Sequence, residues 1–287
     1  LAAGAWASGG NANTSVYGRG SAGSQTANIT FGGQPGNTAN SETYDGSSWT
    51  EGANINTGRT DFTSNGTSTA ALGVGGVAAA EELAIVESWN GTSWTEIADL
   101  NTNRTLGGGA GTSTAAIAAG GDGNSPGSGG QVAVVEKWNG TSWTEVGDLN
   151  TARSAMAGLG TSTAAIVASG YTGTARTAAV ETYDGSTWTE TVDINNARYG
   201  LSGSGGPGAQ TDCIVVAGDD AAVEGETEEF NGVSWTELAD LSTARYFQGG
   251  SPTGTTALGL VSCGYGGGNL NTTEEWTKPQ NVEVITD

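Results

Sequence analysis

Glutamate and arginine are the chemically capable side chains that this sequence places by rule. Glu42, Glu87, Glu136, Glu181, Glu228 and Glu274 each stand two residues before an aromatic, at intervals of 45, 49, 45, 47 and 46 residues. Arg59, Arg104, Arg153, Arg198 and Arg245 each follow a tryptophan by ten residues. Such charges could form a ring of site residues. A buried carboxylate is tolerated only when it is paired or hydrogen bonded, however, so the expected role is structural. Each Glu should accept from a neighbouring loop or from an Arg. Val16 stands where the first repeat should carry its arginine, which leaves Arg19, three residues on, as a substitute.

The tryptophans obey the same rule. Trp6, Trp49, Trp94, Trp143, Trp188 and Trp235 occupy one position of the repeat, and Trp89, Trp138 and Trp276 alternate with Tyr44, Tyr183 and Phe230 at a second. Aromatic rings can stack on sugars, but fixed register through every copy points to packing between repeats. Catalytic inventories fail. The chain has no histidine, which removes His-based triads, His metal ligands and imidazole acid–base chemistry. A glycosidase needs two carboxylates at a defined separation, and no such pair stands out. Asp219 and Asp220 with Glu224, Glu226, Glu228 and Glu229 form an acidic cluster, but their spacing matches no calcium loop. Neither a metal nor a cofactor is expected.

The elements that position these residues follow from the repeat itself. E-K-W-N-G-T-S-W-T-E at 136–145 recurs four more times, and a truncated copy, E-E-W-T, begins at Glu274. A period of 45 to 49 residues marks a solenoid or propeller. Asp-Gly or Asn-Gly between β-favouring residues predicts a hairpin with a type I′ turn. In the copy from 148 to 192, a polar loop with Arg153 leads to a strand at 154–159. Gly160-Thr161 turns the chain into an apolar strand at 163–170, and a variable loop at 171–178 precedes the aromatic hairpin. Four short strands make one propeller blade. The last copy lacks its fourth strand, whereas Trp6 precedes Asn13 by the interval separating Trp49 from Asn56. The expected fold is therefore all-β: a six-bladed β-propeller of four-stranded antiparallel blades, closed by the N-terminal strand pairing with residues 274–276. Residues 1–276 form one domain, and 277–287 are a tail, linker or docking strand.

Composition bounds the partners. Net charge is −21, which disfavours nucleic acid and anionic membrane. No apolar run approaches the roughly 20 residues of a membrane span, and no signal peptide is read. The chain begins at Leu1, so it can be a piece of something longer. Cys213 and Cys263 stand four residues apart in repeat register, roughly 13 Å along a strand. A disulfide requires Cα atoms within about 7 Å, so two small buried thiols are expected.

A glycine doublet after an apolar strand (Gly32-Gly33, Gly75-Gly76, Gly120-Gly121), then an aromatic, then a Trp five residues on, resembles the kelch repeat. The resemblance covers residues 1–276. The doublet departs to Ser169-Gly170, Ala217-Gly218 and Cys263-Gly264, and the aromatic-to-Trp interval is slightly short for that family. Kelch-type copper-radical oxidases require His ligands, which this chain lacks. The segments N-G-T-S-W-T-E, D-L-N-T-x-R and G-T-S-T-A-A resemble kelch-like propellers in virion structural proteins of marine tailed phages. That resemblance implies a tail or capsid appendage for display, adhesion or host recognition, not an enzyme.

Function is expected in the loops that vary between repeats, at 77–84, 122–131, 171–178, 219–227 and 265–271. Strand alternation puts them on one face with the loops carrying Asp99, Asp148, Asp193 and Asp240. The candidate binding residues are Asp122, Asn124, Tyr171, Asp219, Asp220, Glu224, Tyr265 and Asn269. Expected partners are other virion proteins or a host-surface glycan or protein, with no nucleic acid and no membrane insertion, in an arrangement that suits a symmetric homo-oligomer. The alternative is a secreted or cell-surface bacterial lectin-like adhesin; a glycan-active enzyme ranks below both.

Overall fold

The Asp-Gly and Asn-Gly turns are the seeds of the fold. In the computed structural model, which describes residues 4–123 and 130–279, Tyr44 pairs with Trp49 across the first of them and Trp89 with Trp94 across the second. The turn differs from the expected type I′. Positive φ falls on the glycine alone (Gly46, +92°; Gly91, +94°), whereas a type I′ turn requires it at both central residues. The preceding Asp or Asn is a cap instead. Asp45 Oδ1 accepts from the amides of Ser47 (2.9 Å) and Ser48 (2.8 Å), and the Ser48 and Ser47 donors hold its carboxyl down to about 2.

Six blades follow. The first comprises strands Gly20–Gly23, Asn28–Phe31, Ser41–Tyr44 and Trp49–Glu51. The second comprises Thr63–Thr67, Ala70–Val74, Val86–Trp89 and Trp94–Glu96. The third comprises Gly108–Thr112, Ala115–Ala119, Val135–Trp138 and Trp143–Glu145. The fourth comprises Ala157–Thr161, Ala164–Ala168, Val180–Tyr183 and Trp188–Glu190. The turn within that blade lies at Ser162-Thr163, two residues beyond the expected Gly160-Thr161, because Gly160 (φ +101°) and Thr161 still pair with Ala165 and Ala164.

The fifth blade, Ser202–Ser204, Cys213–Asp219, Val223–Phe230 and Trp235–Glu237, has the longest middle strands. Most of the loop expected at 219–227 is therefore strand, with Asp219 pairing with Val223. The sixth sheet has three strands, Leu258–Ser262, Thr273–Thr277 and Ala5–Ser8. Its axial edge is reduced to the bridge Gly249–Ser262. Trp6 pairs with Trp276 and Ser8 with Glu274, so the N-terminal strand closes the ring.

One hydrophobic cluster fills each interface between blades. The first–second interface, for example, buries Ile29, Phe31, Ile55, Phe62, Trp89 and Trp94. The repeat tryptophans stack on the third-strand aromatic of their own blade at 4.8 Å (Phe230–Trp235) to 5.4 Å (Trp89–Trp94, Trp138–Trp143). Trp49, Trp94, Trp143, Trp188 and Trp235 are buried, while Trp6 is partly buried and lies 5.5 Å from Trp276. Indole N–H groups clasp neighbouring blades: Trp94 donates to Ser41 Oγ and Trp49 to Thr273 Oγ1. Cys213 and Cys263 are buried free thiols.

The repeated Glu and Arg meet in every blade. Glu87 accepts from Asn56 N (2.7 Å), Asn56 Nδ2 (2.7 Å), Thr57 N (3.3 Å) and the Arg59 guanidinium. Glu136 does the same with Asn101, Thr102 and Arg104, Glu181 with Asn150, Thr151 and Arg153, and Glu228 with Asn195 and Arg198. Glu274 holds Ser242, Thr243 and Arg245. Every donor belongs to the loop entering that blade from the one before, so each carboxylate ties down a blade crossing. In the first blade Arg19 meets Glu42 at 3.4 Å and also donates to Cys263 Sγ, the loosest of the six pairs.

Near the axis the inner strands approach so closely that only small residues fit. A Cβ on Gly158 would lie 2.5 Å from Gly109 N, and one on Gly109 would lie 2.5 Å from Ser64 O. Gly158→Val is expected to cost on the order of 3 kcal/mol, measured by urea unfolding. Glu136→Gln should cost roughly 3 kcal/mol by stranding Arg104. Glu42→Gln should cost clearly less; equal losses would refute a graded clasp.

Candidate functional site

The loops between second and third strands and the loops between blades occupy one face. Backbone bonds join them directly: Leu100 N donates to Ala84 O, Leu149 N to Ala133 O, Ile194 N to Ala178 O and Leu241 N to Gly225 O. A second set of bridges runs closer to the axis, pairing Tyr17 with Gln34, Thr60 with Val77, Thr105 with Asp122, Ser154 with Tyr171, Tyr199 with Asp219 and Tyr246 with Tyr265. Two concentric tiers of side chains therefore surround the axis on this face.

Five of these twelve positions are tyrosine, and the tyrosines are contiguous. Ring centroids run from Tyr171 to Tyr199 at 6.0 Å, to Tyr246 at 6.1 Å, to Tyr265 at 5.7 Å and to Tyr17 at 5.6 Å. Phe247 touches both Tyr199 (5.8 Å) and Tyr246 (4.9 Å). All five tyrosines are partly exposed. Burial and the nearby Asp219 carboxylate raise the pKa of Tyr199 and Tyr246, so both phenols stay protonated donors at neutral pH. Arg176 sits 5.3 Å above the Tyr199 ring and pairs with Asp219. The opposite half of the inner tier carries Thr60, Thr105 and Ser154, which are small and buried.

The residues singled out from sequence divide accordingly. Tyr171 and Tyr265 belong to the aromatic arc, and Asp219 lies against it. Asp122 is on the polar side, bridged to Thr105 and 3.5 Å from Gln131 Nε2; burial raises its pKa. Asn269 is exposed and bridges Tyr265. Asp220 is exposed at the tip of the fifth-blade hairpin, and Glu224 is half-buried on the strand that leaves it. Asn124 falls outside the described residues, as do residues 280–287 of the tail. Glu226 holds Asn196 and Arg198, and Glu228 belongs to the clasp, so the acidic cluster is dispersed. Among the described residues no group of three or more His, Cys, Asp or Glu is arranged to hold a metal ion.

Tyr17, Tyr199 and Tyr246 escaped the sequence reading. Their signal was present: tyrosine directly follows the repeat arginine at 199 and 246, where other copies have Thr or Ser. The arc also borders an opening that no motif marked. Gly18, Asp61, Leu106, Ala155, Gly200 and Phe247 close a circle of backbone hydrogen bonds around the axis, each N–H donating to the carbonyl of the residue one blade back at 2.7–2.9 Å. All six have φ between +52° and +72°. Beneath them lies a cavity of about 80 Å³.

Asp61 is the one acid of that circle. Its Oδ1 is buried, and the donor beside it is the Thr60 hydroxyl, which is shared with Gly18 O at 3.0 Å. Burial pushes its pKa up to about 7, and the adjacent Thr60 hydroxyl offsets this only in part. A carboxyl raised in the folded state favours folding below its unfolded pKa of about 4, and loses that advantage as pH rises through 7. The melting temperature of the native protein should therefore fall between about pH 4 and pH 7 relative to Asp61→Asn; parallel melting profiles would refute an isolated carboxyl. No protein-family model matches the chain, and a search of curated proteins finds no significant relative.

Proposed function

We propose that this propeller is a non-enzymatic binding module of a tailed-phage particle. Its loop face contacts a host-surface glycan or protein, or, where the domain decorates the particle, another virion protein. The observation that carries the reading is the contiguous tyrosine arc. Tyrosine offers a rigid apolar face and a hydroxyl at low entropic cost, which suits recognition of sugars and protein surfaces alike. The kelch-like glycine doublets and the N-G-T-S-W-T-E style of the repeat supply the phage part of the reading. A chain without histidine supports binding over catalysis.

Charge narrows the partner. Arg19, Arg59, Arg104, Arg153, Arg198 and Arg245 are all buried against glutamates, leaving Lys137, Arg176 and Lys278 as the remaining cations. Two of these are paired as well, Arg176 with Asp219 and Lys278 with Glu229. The exterior is thus strongly acidic and repels phosphorylated or sulfated surfaces. Neutral or basic partners fit.

Mass spectrometry of purified phage particles should recover peptides spanning Trp138 and Trp143 at structural copy number. Their recovery from bacterial envelopes instead would replace the phage assignment with a cellular adhesin. On whichever partner is captured, Tyr199→Ala and Tyr246→Ala should each weaken binding about tenfold, roughly 1–2 kcal/mol, with melting temperature nearly unchanged. Undiminished binding by both variants would move the site off this arc.

A further inference from the structure

The axial opening holds a second feature that the tyrosine arc does not use. Five of the six residues of the backbone circle are glycine or apolar, so the circle itself does not require a carboxylate. Leu106, Ala155 and Phe247 adopt the same left-handed conformation as Asp61 without one. The acid at that position therefore stands apart from the repeat, and its carboxyl has no ion-pair partner, only the Thr60 hydroxyl that is shared with Gly18 O.

The cavity below it is walled by Phe62, Leu106, Met156, Leu201 and Phe247, with Gln248 and Arg19 at its side. Arg19 and Asp61 are the two charged groups lining it. Arg19 already faces Glu42, at 3.4 and 3.5 Å from its two terminal nitrogens. The Asp61 carboxylate has no such counter-ion. The cavity lining mixes apolar side chains with polar groups, and Arg19 Nε and Gln248 Oε1 lack hydrogen-bond partners. A compact pocket with apolar side chains on one wall and a carboxylate without a counter-ion matches a cation that carries its own apolar stem. A bare metal ion is a poor match, since hard cations require six or more oxygen ligands. An anion would meet Asp61 directly.

We propose that the axial opening binds a primary alkylammonium group, with the ammonium on Asp61 and the alkyl stem against Phe62, Leu106 and Phe247. The shared chemistry is that of a free aliphatic amine and of a lysine side chain presented by a partner. The acidic exterior raises the local concentration of either. This site is separate from the tyrosine arc, and its occupancy does not depend on what the arc recognises.

The test is titration of the whole protein at about pH 8, followed by the amide resonances of Gly18, Leu106 and Gly200. The probes are n-butylammonium, 1,4-diaminobutane and Nα-acetyl-lysine amide, with n-butanol as the uncharged control. Saturable shifts are expected with n-butylammonium, and at least tenfold weaker binding with n-butanol. Asp61→Asn should lose affinity at least tenfold, and so should Asp61→Leu, which copies the residue at Leu106 and guards against a folding defect in either variant. Affinity should also fall as pH drops below 7 and Asp61 takes up a proton. Tighter binding of the diamine identifies a free amine as the ligand, and tighter binding of the lysine amide identifies a partner side chain. Equal binding of n-butanol, full binding by both Asp61 variants, or no saturable shift with any amine overturns the proposal.

Discussion

A buried carboxylate is costly unless its acceptor sites are filled, and that constraint organises this propeller. Removing an ionised Glu from water costs several kcal/mol, recovered only by a nearly complete shell of donors. Glu87 obtains its shell from Asn56, Thr57 and Arg59, all on the loop that crosses from the first blade into the second. Arg59 in turn donates to the carbonyls of Gly73 and Gly75, at the end of the second strand and just past it. One ion pair therefore fixes a blade crossing, a strand end and the glycine doublet behind it. Burial lowers the pKa of Arg59, Arg104, Arg153 and Arg245, and the facing glutamates oppose that shift. The clasp is mutual: neither charge is tolerable in the wall without the other.

The departures from the repeat gather where the ring is joined. In the first blade the arginine position is Val16, and Arg19 takes its place with a longer contact to Glu42. In the sixth, Ser242 replaces the usual Asn and the axial strand shrinks to a bridge. In the fifth, the middle strands lengthen. Four of the five arc tyrosines, Tyr17, Tyr199, Tyr246 and Tyr265, belong to these three blades. The second to fourth blades repeat most faithfully and place small residues, Thr60, Thr105 and Ser154, at the equivalent inner positions. The regular blades keep small residues around the axis, while the irregular ones carry most of the aromatic surface.

Periodicity explains which features were legible in the sequence. Blade number, ring closure and the positions of Glu, Arg and Trp all recur, and recurrence separates a structural demand from drift. Even the eroded doublets were recognisable by register: Ser169, Ala217 and Cys263 have φ of +65°, +61° and +60°, the conformation that Gly75 and Gly120 adopt. The turn differs from type I′ because Asn-Gly does not by itself oblige the Asn to take positive φ. Here the Asn or Asp caps the turn through its side chain, and only the glycine needs positive φ. The axial circle was illegible for the opposite reason. Gly18, Asp61, Leu106, Ala155, Gly200 and Phe247 share no side-chain type. They are matched only by backbone conformation and by partners one repeat away.

The outward charge of the domain is a consequence of its inward chemistry. Six of nine cations are consumed in holding the blades together, each neutralised by one of thirty acids. A fold that needs one buried Glu–Arg pair per blade gains no net charge from those pairs. The negative balance therefore sits almost wholly at the surface. Arg176 is the cation that remains on the loop face, and it is occupied by Asp219 and the ring of Tyr199. That arrangement shows what the arc is able to hold: a planar cation over a phenol face with a carboxylate beside it. A partner bringing its own cation would find the same chemistry along the arc, whereas a phosphorylated surface would face repulsion from every side. The charge that this face presents thus begins with the pairs that close the blades.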